Sequence, residues 1–418
     1  MSQAEQTITK PSSGSILDTW CKRAFINVLG KLPQGGMTLK ENGIMVAQFG
    51  DTHSELQAEV NILDKKAYRH LLFGGSVASG ETYMDGMWNT PNLTNVIRVF
   101  ARNLPTLDKW ENRFTWLTFP INKIQHFFNR NSVAQARKNI QAHYDLGNQL
   151  YTQFLDESMM YSAAVYPHPG ADLAEAQQNK LKEICEKLQL KPTDHLMEIG
   201  TGWGGLAVYA AKHYGCKVTT TTISDEQYAW AEEWVAKEGL TDKITLLKQD
   251  YRTLEGTYDK LVSIEMIEAV GKAYLRNFFE KCTSLLKPEG LMVLQAITID
   301  DRRYATYSNG VDFIQKYIFP GGFLPSQYVI NRCIKQYTDL SIRDLHDIGL
   351  DYAQTLSHWH DRFFENVDKL KENGYDERFS RMWKYYLNYC EGGFRERSIS
   401  TVQLVLGRTA HTDELTFR

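Results

Sequence analysis

Residues 195–224, "HLMEIGTGWGGLAVYAAKHYGCKVTTTTIS", read as a strand, a glycine turn, a helix and a second strand. A glycine-rich turn between strand and helix usually holds a nucleotide, and the identity of that nucleotide separates three enzyme classes. A phosphate-cradling loop requires G-x-x-x-x-G-K-[ST], and no lysine followed by Ser or Thr closes this turn. Gly200, Gly202 and Gly205 approach the dinucleotide fingerprint G-x-G-x-x-G, a near fit of low specificity. Glu198 weighs against it. An acid at the end of the first strand repels a pyrophosphate and suits the cationic amino acid portion of S-adenosylmethionine. The second strand ends "TTTTIS", with no acid at its tip to hold a dinucleotide ribose. The third ends "KQDYR", placing Asp250 beside the expected adenine pocket. Glycine turns and helix caps such as Ser224 are common singly; together they predict a methyltransferase that uses S-adenosylmethionine.

The composition is that of an ordinary globular chain: 418 residues, 43% apolar, 23% charged. A net charge of -3 argues against nucleic acid as a partner. The six cysteines are scattered, without a C-x-x-C pair or a metal-ligand grouping, so neither a metal site nor a disulfide framework is expected. They suit a reducing cytoplasm. No apolar run approaches the roughly 18 residues of a membrane span, and "MSQAEQTITK" lacks a signal-peptide core.

Residues 1–16 are polar and read as a disordered tail, and 17–108 as a small α+β domain. That domain shows short alternating runs, "GIMVAQF" and "RHLLFGG", then a helix-like "NLTNVIRVFARNL". Residues 109–140 interleave aromatics with Lys and Arg. They read either as an amphipathic connector packed on the core or as a segment whose basic groups meet lipid phosphates. From 141 to 418 the pattern is regular. Strand-like "HLMEIG", "KVTTTT", "KITLLKQ", "KLVSIEM" and "LMVLQAI" alternate with helices expected at 204–214, 225–238 and 273–286, and "LKPEG" marks a turn. This predicts an α/β fold, a Rossmann-like class I methyltransferase domain with a largely parallel sheet. The last third adds mostly helical, aromatic-rich material.

The stretches "HYDLGNQLYTQFLD", "YSAAVY", "AQQNKLKEICEKLQLKP", "GTGWGGLA", "TISDEQ", "QDYR", "KYIFPGGFLPS" and "YYLNYCEGGFR" together resemble the cyclopropane fatty acid synthase family. "GETYMDGMW" at 80–88 extends the likeness into the N-terminal domain. The resemblance implies S-adenosylmethionine as cofactor and unsaturated acyl chains of a phospholipid bilayer as partner. It implies a cytoplasmic enzyme attached peripherally to the inner face of the membrane, and it leaves a homodimer open. By resemblance, Tyr161, Ser162, Glu198, Gly200, Gly202, Trp203, Gly204, Thr222, Gln227, Asp250 and Tyr251 form the cofactor pocket, and His143 orders the lid above it.

The family's chemistry explains these residue types. A π bond is a poor nucleophile, so the methyl group must be aimed closely, and the resulting carbocation is best met by aromatic faces and carboxylates. Tyr317, Phe319, Phe323 and Tyr352 suit that task, although ordinary core packing accounts for each. Ring closure then needs a base, and the resemblance implies a bicarbonate ion held by five positions. Here these are Ala163, Glu268, Gln295, Ile297 and Tyr352. Ala163 and Gln295 depart from the family's cysteine and histidine, and Ala269 replaces the histidine that commonly follows the glutamate. Gln295 can donate a hydrogen bond to an anion yet supplies neither charge nor proton relay, which weakens the anion site. Cys390 aligns with a cysteine once suspected as a nucleophile; with no base in view it reads better as a buried thiol. The expected activity is therefore cyclopropane formation on unsaturated acyl chains, with a methyl-branched or methylated alkene product as the alternative. A lipid-binding protein without activity would not need the intact cofactor loop. A small-molecule amine methyltransferase remains a further rival.

Overall fold

Residues 16–104, 106–107 and 147–415 are described by the computed structural model. The basic-aromatic segment 109–140, nearly all of the tail at 1–16 and His143 lie outside the described residues. The described chain divides into two units. One holds the N-terminal elements with Asp376–Tyr385; the other holds the remainder from Gly147 onward.

In the first unit, α1 (Ile16–Leu29) precedes strands β1 (Gly36–Glu41), β2 (Ile44–Gly50) and β3 (Gln57–Ile62). Helix α2 (Ala67–Met84), a short β4 (Trp88–Asn89) and α3 (Leu93–Arg102) follow. The sheet order is β2-β1-β3-β4. The expected run "GIMVAQF" is β2, and α3 begins where Asn92 accepts a bond from the Asn95 amide. "RHLLFGG" is not an alternating strand-like run. It lies within α2, which bends at Gly75, where φ is 55°. Adjacent apolar residues Leu71, Leu72 and Phe73 fit a helix as readily as a strand, and the glycine pair kinks the helix instead of ending it. "GETYMDGMW" is structural here: Arg381 donates to the Tyr83 and Trp88 carbonyls at 2.6 and 3.0 Å and lies 4.2 Å from the Tyr83 ring centre.

The second unit is built on a seven-stranded sheet. After α4 (Leu173–Lys187) come β5 (His195–Ile199), α5 (Gly205–Tyr214), β6 (Lys217–Thr221), α6 (Asp225–Lys237), β7 (Ile244–Leu247) and β8 (Tyr258–Ile264). Next are α7 (Leu275–Leu285), β9 (Leu286–Ile299), α8 (Gln327–Tyr337), β10 (Leu340–Asp347), α9 (Gly349–Glu365), α10 (Glu377–Arg395), which belongs to this unit from Tyr386 onward, and β11 (Ile399–Arg408). The order is β10-β11-β9-β8-β5-β6-β7; the five strands β5–β9 are mutually parallel, β11 runs antiparallel to β9, and β10 pairs antiparallel with β11. Successive strand residues face opposite cores. Met197, Ile199, Leu261, Met292 and Leu294 enter one cluster, and Leu196, Val218, Val262 and Val293 the other. Burial on both faces is what makes these strands continuously apolar.

Two details differ from the sequence reading. "LKPEG" is part of β9, where the partner strand advances only from Tyr258 to Lys260 while β9 advances from Leu286 to Leu291. Pro288 has no amide hydrogen for a ladder, and it sits in this bulge. The last third also supplies β10 and β11, which the helical reading overlooked. The sheet reverses direction of winding at β5, which pairs with β6 on one side and β8 on the other. In such sheets the crevice beyond the carboxyl ends of the strands at the switch point is where ligands bind.

Candidate active site

The turn after β5 is left-handed three times, with φ 103° at Gly200, 53° at Gly202 and 100° at Gly204. A side chain on Gly200 would meet Met266 at 3.3 Å, whereas one on Gly202 would enter open space. The turn is therefore shaped by backbone conformation and leaves room above Gly202. Glu198 is buried beneath it, held by the Thr220 hydroxyl at 2.6 Å. Burial lifts its pKa to about 8, partly opposed by the Thr220 bond. A buried carboxyl of this kind fits the cationic amine of S-adenosylmethionine.

Beyond β6, Ser224 caps α6 by accepting from the Gln227 amide, and the Thr222 hydroxyl donates to Gln227 Oε1 at 2.9 Å. After β7, Asp250 accepts both Nε and an Nη of Arg252, at 2.8 and 2.6 Å. Burial would raise its pKa, but the Arg252 bonds and charge outweigh it and hold the carboxyl low. Tyr251 packs edge-on against Phe278, with ring centres 5.7 Å apart. Thr222, Gln227, Asp250 and Tyr251 thus gather at the carboxyl ends of β6 and β7, next to the glycine turn.

An aromatic shell adjoins the turn. The Trp203 indole donates to Asn148 at 2.8 Å and lies 4.9 Å from the Tyr151 ring. Tyr151 meets Tyr161 at 5.3 Å, Tyr161 meets Trp359 at 5.2 Å and Phe319 at 6.2 Å, and Trp359 meets Tyr352 at 5.9 Å. The Tyr161 and Tyr386 hydroxyls are 2.9 Å apart. Ser162 faces inward, its hydroxyl accepting at 2.9 Å from Lys180, which is fully buried and whose pKa burial lowers to about 7.

The carboxyl ends of β8 and β9 carry the acidic centre. Glu268 Oε1 accepts the Ile297 amide at 2.5 Å, while its buried Oε2 finds no hydrogen-bond partner among the described residues. Burial and the neighbouring Glu265 raise the Glu268 pKa to about 8. Tyr352 lies beside Glu265, and burial, with the Glu265 charge adding to it, pushes the phenol pKa up. Gln295, fully buried, donates to Glu265 Oε1 at 2.8 Å and to the Ala163 carbonyl at 3.3 Å. The Ala163 amide donates to the same Glu265 oxygen at 2.9 Å. Both glutamates keep some accessible surface although burial dominates their titration, as expected for groups lining a cleft. Met266, between them in sequence, touches the glycine turn's Gly200 position, so cofactor loop and acidic centre are contiguous.

Glu265 was missed by the sequence reading. Two signals stood in "EMIEAVG": a pair of acids three residues apart, and their place at the carboxyl end of a parallel strand. Cys390 lies near Tyr352, but burial and Asp312 drive its thiol pKa up. A thiol pushed this way is a poor nucleophile, so Cys390 fits the buried-thiol reading better than a catalytic one.

The profile of the family described as mycolic acid cyclopropane synthetase matches residues 131–404. The chain belongs to that family. It is 40% identical over 356 residues to the cyclopropane-fatty-acyl-phospholipid synthase of Escherichia coli strain K12, covering 84% of this chain and 88% of the relative. It is 38% identical over 341 residues to the tuberculostearic acid methyltransferase UfaA1 of Mycobacterium tuberculosis, covering 80% and 79%. Among solved structures, the mycolic acid cyclopropane synthase CmaA1 complexed with SAH and CTAB superposes with TM-score 0.60 at 27% identity, over 65% of this chain and 98% of that one. The fold is accordingly that of the class I methyltransferases, as the strand alternation predicted.

Two outcomes are expected. At pH 7 Glu198 is mostly neutral, and a bound ammonium group lowers its pKa, so S-adenosylmethionine binding should release close to one proton at pH 7 and almost none at pH 9. Calorimetry in buffers of different ionisation enthalpy reads this directly. Glu198→Gln should abolish the release and weaken binding about 10- to 150-fold, the equivalent of losing about 1.5–3 kcal/mol. Gly202→Val should weaken it further, because φ 53° is costly for a β-branched residue whose side chain also enters the ligand space. Separately, Cys390→Ala should keep kcat within about threefold, because a neutral thiol offers no nucleophile to lose.

Proposed function

We propose that the protein is an S-adenosylmethionine-dependent methyltransferase that converts double bonds of unsaturated phospholipid acyl chains into cyclopropane rings. The observation that carries this reading is the close approach of Met266, which follows Glu265 and precedes Glu268 by two residues, to the glycine turn at Gly200, beside an aromatic shell. Bound S-adenosylmethionine supplies an electrophilic methyl group on a positively charged sulfur. The chain's own residues then have three tasks. Gly200 to Gly204 and Glu198 fix the donor end, while Tyr161, Trp359 and Tyr352 present ring faces and edges where positive charge develops. The same rings exclude water, which would otherwise capture a carbocation. The likeness to a cyclopropane-fatty-acyl-phospholipid synthase supports the ring product and the phospholipid substrate. A methylated product without ring closure is the second reading, favoured by the almost equal likeness to a tuberculostearic acid methyltransferase.

Expression in a host lacking its own cyclopropane synthase, fed methyl-deuterated methionine, should add a methylene unit to monounsaturated phospholipid chains. A ring retains two of the three methyl deuteriums and a methyl branch all three, while a branched methylene, which also retains two, keeps a double bond that hydrogenation detects, so mass spectrometry before and after mild hydrogenation separates the readings. Absence of labelled lipid would refute both.

A substrate inside a bilayer requires a surface that meets it. No helix among the described residues is long and apolar enough to cross a membrane. We place the enzyme at the inner face of the membrane, held by the basic-aromatic segment 109–140. It should sediment with anionic liposomes, less so as salt rises, since screening acts over about 8–10 Å at physiological ionic strength. Neutralising Lys123, Arg130, Arg137 and Lys138 together should weaken sedimentation and leave cofactor affinity unchanged. Equal sedimentation of the two proteins would move the contact elsewhere.

A further inference from the structure

The acidic centre contains a group outside the five positions that the family resemblance assigns to an anion site. Among those five, Gln295, Ala163 and Ile297 have donors already engaged within the protein, the Ile297 amide at Glu268. Both amide hydrogens of Gln295 are directed within the protein, one to Glu265 and one to the Ala163 carbonyl. The Ala163 amide also goes to Glu265, and Tyr352 lies beside the same carboxyl. Two donors that would seat a small external anion, the Gln295 side chain and the Ala163 amide, meet instead on one protein carboxylate.

The orientation of Gln295 is fixed from outside the site. Lys187 has hydrogen-bond donors only, and its ammonium bonds Gln403 Oε1. The Gln403 amide nitrogen must then face Gln295, donating to its Oε1 at 2.9 Å. This turns the Gln295 nitrogen toward Glu265, so the direction of both amides follows from a lysine that cannot accept. Lys187 is itself anchored by Glu183 at 3.3 Å and His346 at 3.1 Å.

The backbone at Glu265 provides an independent sign. Its φ is 47°, a left-handed conformation that a residue with a side chain adopts only where its surroundings enforce it. Here the Glu265 amide donates to the Gln295 carbonyl at 2.8 Å, so side chain and main chain both fasten it to the same residue of β9.

We propose that Glu265 is the catalytic base of this enzyme and occupies the position of the external anion, so that ring closure does not depend on bicarbonate. The proposal rests on the reading that an unsaturated acyl chain is methylated. In that reaction the π electrons of the double bond form a bond to the methyl carbon as the carbon–sulfur bond breaks, its electron pair remaining on sulfur. Positive charge is left on the adjacent chain carbon. A proton of the new methyl group passes to the Glu265 carboxylate, and the electron pair of that C–H bond closes the ring. Glu265 becomes a neutral acid and loses its proton to water after the product leaves.

The two carboxyls are differentiated for these roles. Burial raises the pKa of both, but at Glu265 the Gln295 and Ala163 bonds, the Lys180 charge and Tyr352 all oppose it. Glu268 has only backbone amides against burial, and the charge on Glu265 adds to the rise. Two hydrogen-bond donors meet Glu265 Oε1, whereas Glu268 Oε2 has no partner among the described residues, so Glu265 is the better placed of the two to carry charge.

Purified wild-type enzyme should convert unsaturated phospholipid vesicles at a rate changed less than about twofold by removing dissolved carbon dioxide and bicarbonate. Glu265→Gln should lower ring formation by about 10²–10⁴-fold, the range for loss of a general base, with S-adenosylmethionine affinity by calorimetry within about twofold. Glu265→Gly suits the left-handed backbone and frees the Gln295 and Ala163 donors. Added bicarbonate should restore its rate at least about tenfold, with trideuteriomethyl donor still giving rings that retain two deuteriums. A wild-type rate that collapses without bicarbonate and returns with it would overturn the proposal while leaving the function reading intact. So would full ring formation by Glu265→Gln. No label entering any unsaturated lipid would overturn the function reading, and the proposal with it.

Discussion

Glu265 Oε1 receives hydrogen bonds from Gln295 and from the Ala163 amide, at 2.8 and 2.9 Å, in a place where burial alone would strip the carboxyl of its charge. Three segments remote in sequence must meet for this to happen: the chain around Ala163, the end of β8 and the middle of β9. Lys180 reaches the same region from α4, and Tyr352 from α9. An isolated buried carboxylate would cost several kcal/mol, so the site exists only if all of these elements are docked together. The sheet order makes that docking geometrically simple. Strands β5, β8 and β9 are neighbours, and parallel pairing brings their carboxyl ends to one edge.

The same requirement shapes the packing around the site. Strands buried on both faces contribute large apolar cores, each fully buried Leu or Phe adding about 1.5–3 kcal/mol, and this outweighs polar groups held at strand ends. Gln295 is the revealing case. It lies within the run Leu291–Ile297, all but one of whose residues are fully or nearly fully buried, and its amide is tolerated because Gln403 and Glu265 satisfy it on both sides. Glu268 is different, because one oxygen stays unsatisfied among the described residues. Unpaired buried oxygens are costly in the free protein, and a bound group that meets this one gains the difference.

Much of this was legible in the sequence because it is local. The β5–α5–β6 unit follows from alternating apolar runs and a glycine turn within thirty residues, and an acidic residue at Glu198 weighs against a pyrophosphate as the turn's ligand. The carboxyl-end residues of β6 and β7 could be placed for the same reason. What escaped was long-range. The "ISTVQLVLG" run is strand because β9 offers it an antiparallel edge, and nothing within the run itself says so. "LKPEG" contains turn residues, yet the ladder absorbs them as a bulge. Glu265 looked like an exposed strand terminus, since the partners that define it lie 30, 102 and 87 residues away, at Gln295, Ala163 and Tyr352.

The choice between ring and branch is finally a question of which hydrogen lies within reach of a base. Methyl transfer places charge on a chain carbon whose neighbours include both the new methyl group and the next methylene. An external anion could settle at any point its pocket allows, but a glutamate on a left-handed residue, tied to β9 by both its amide and its carboxyl, has little freedom to follow the substrate. The acyl chain must instead be registered against it, and the rings of Tyr161, Trp359 and Tyr352 are the rigid surfaces available for that registration. On this geometry product identity is set by the packing of the aromatic shell around the chain, with the base as the fixed point. Substitutions in the shell would then redistribute ring and branched products without abolishing methyl transfer, whereas loss of the Lys187–Gln403–Gln295 connection would loosen the base itself.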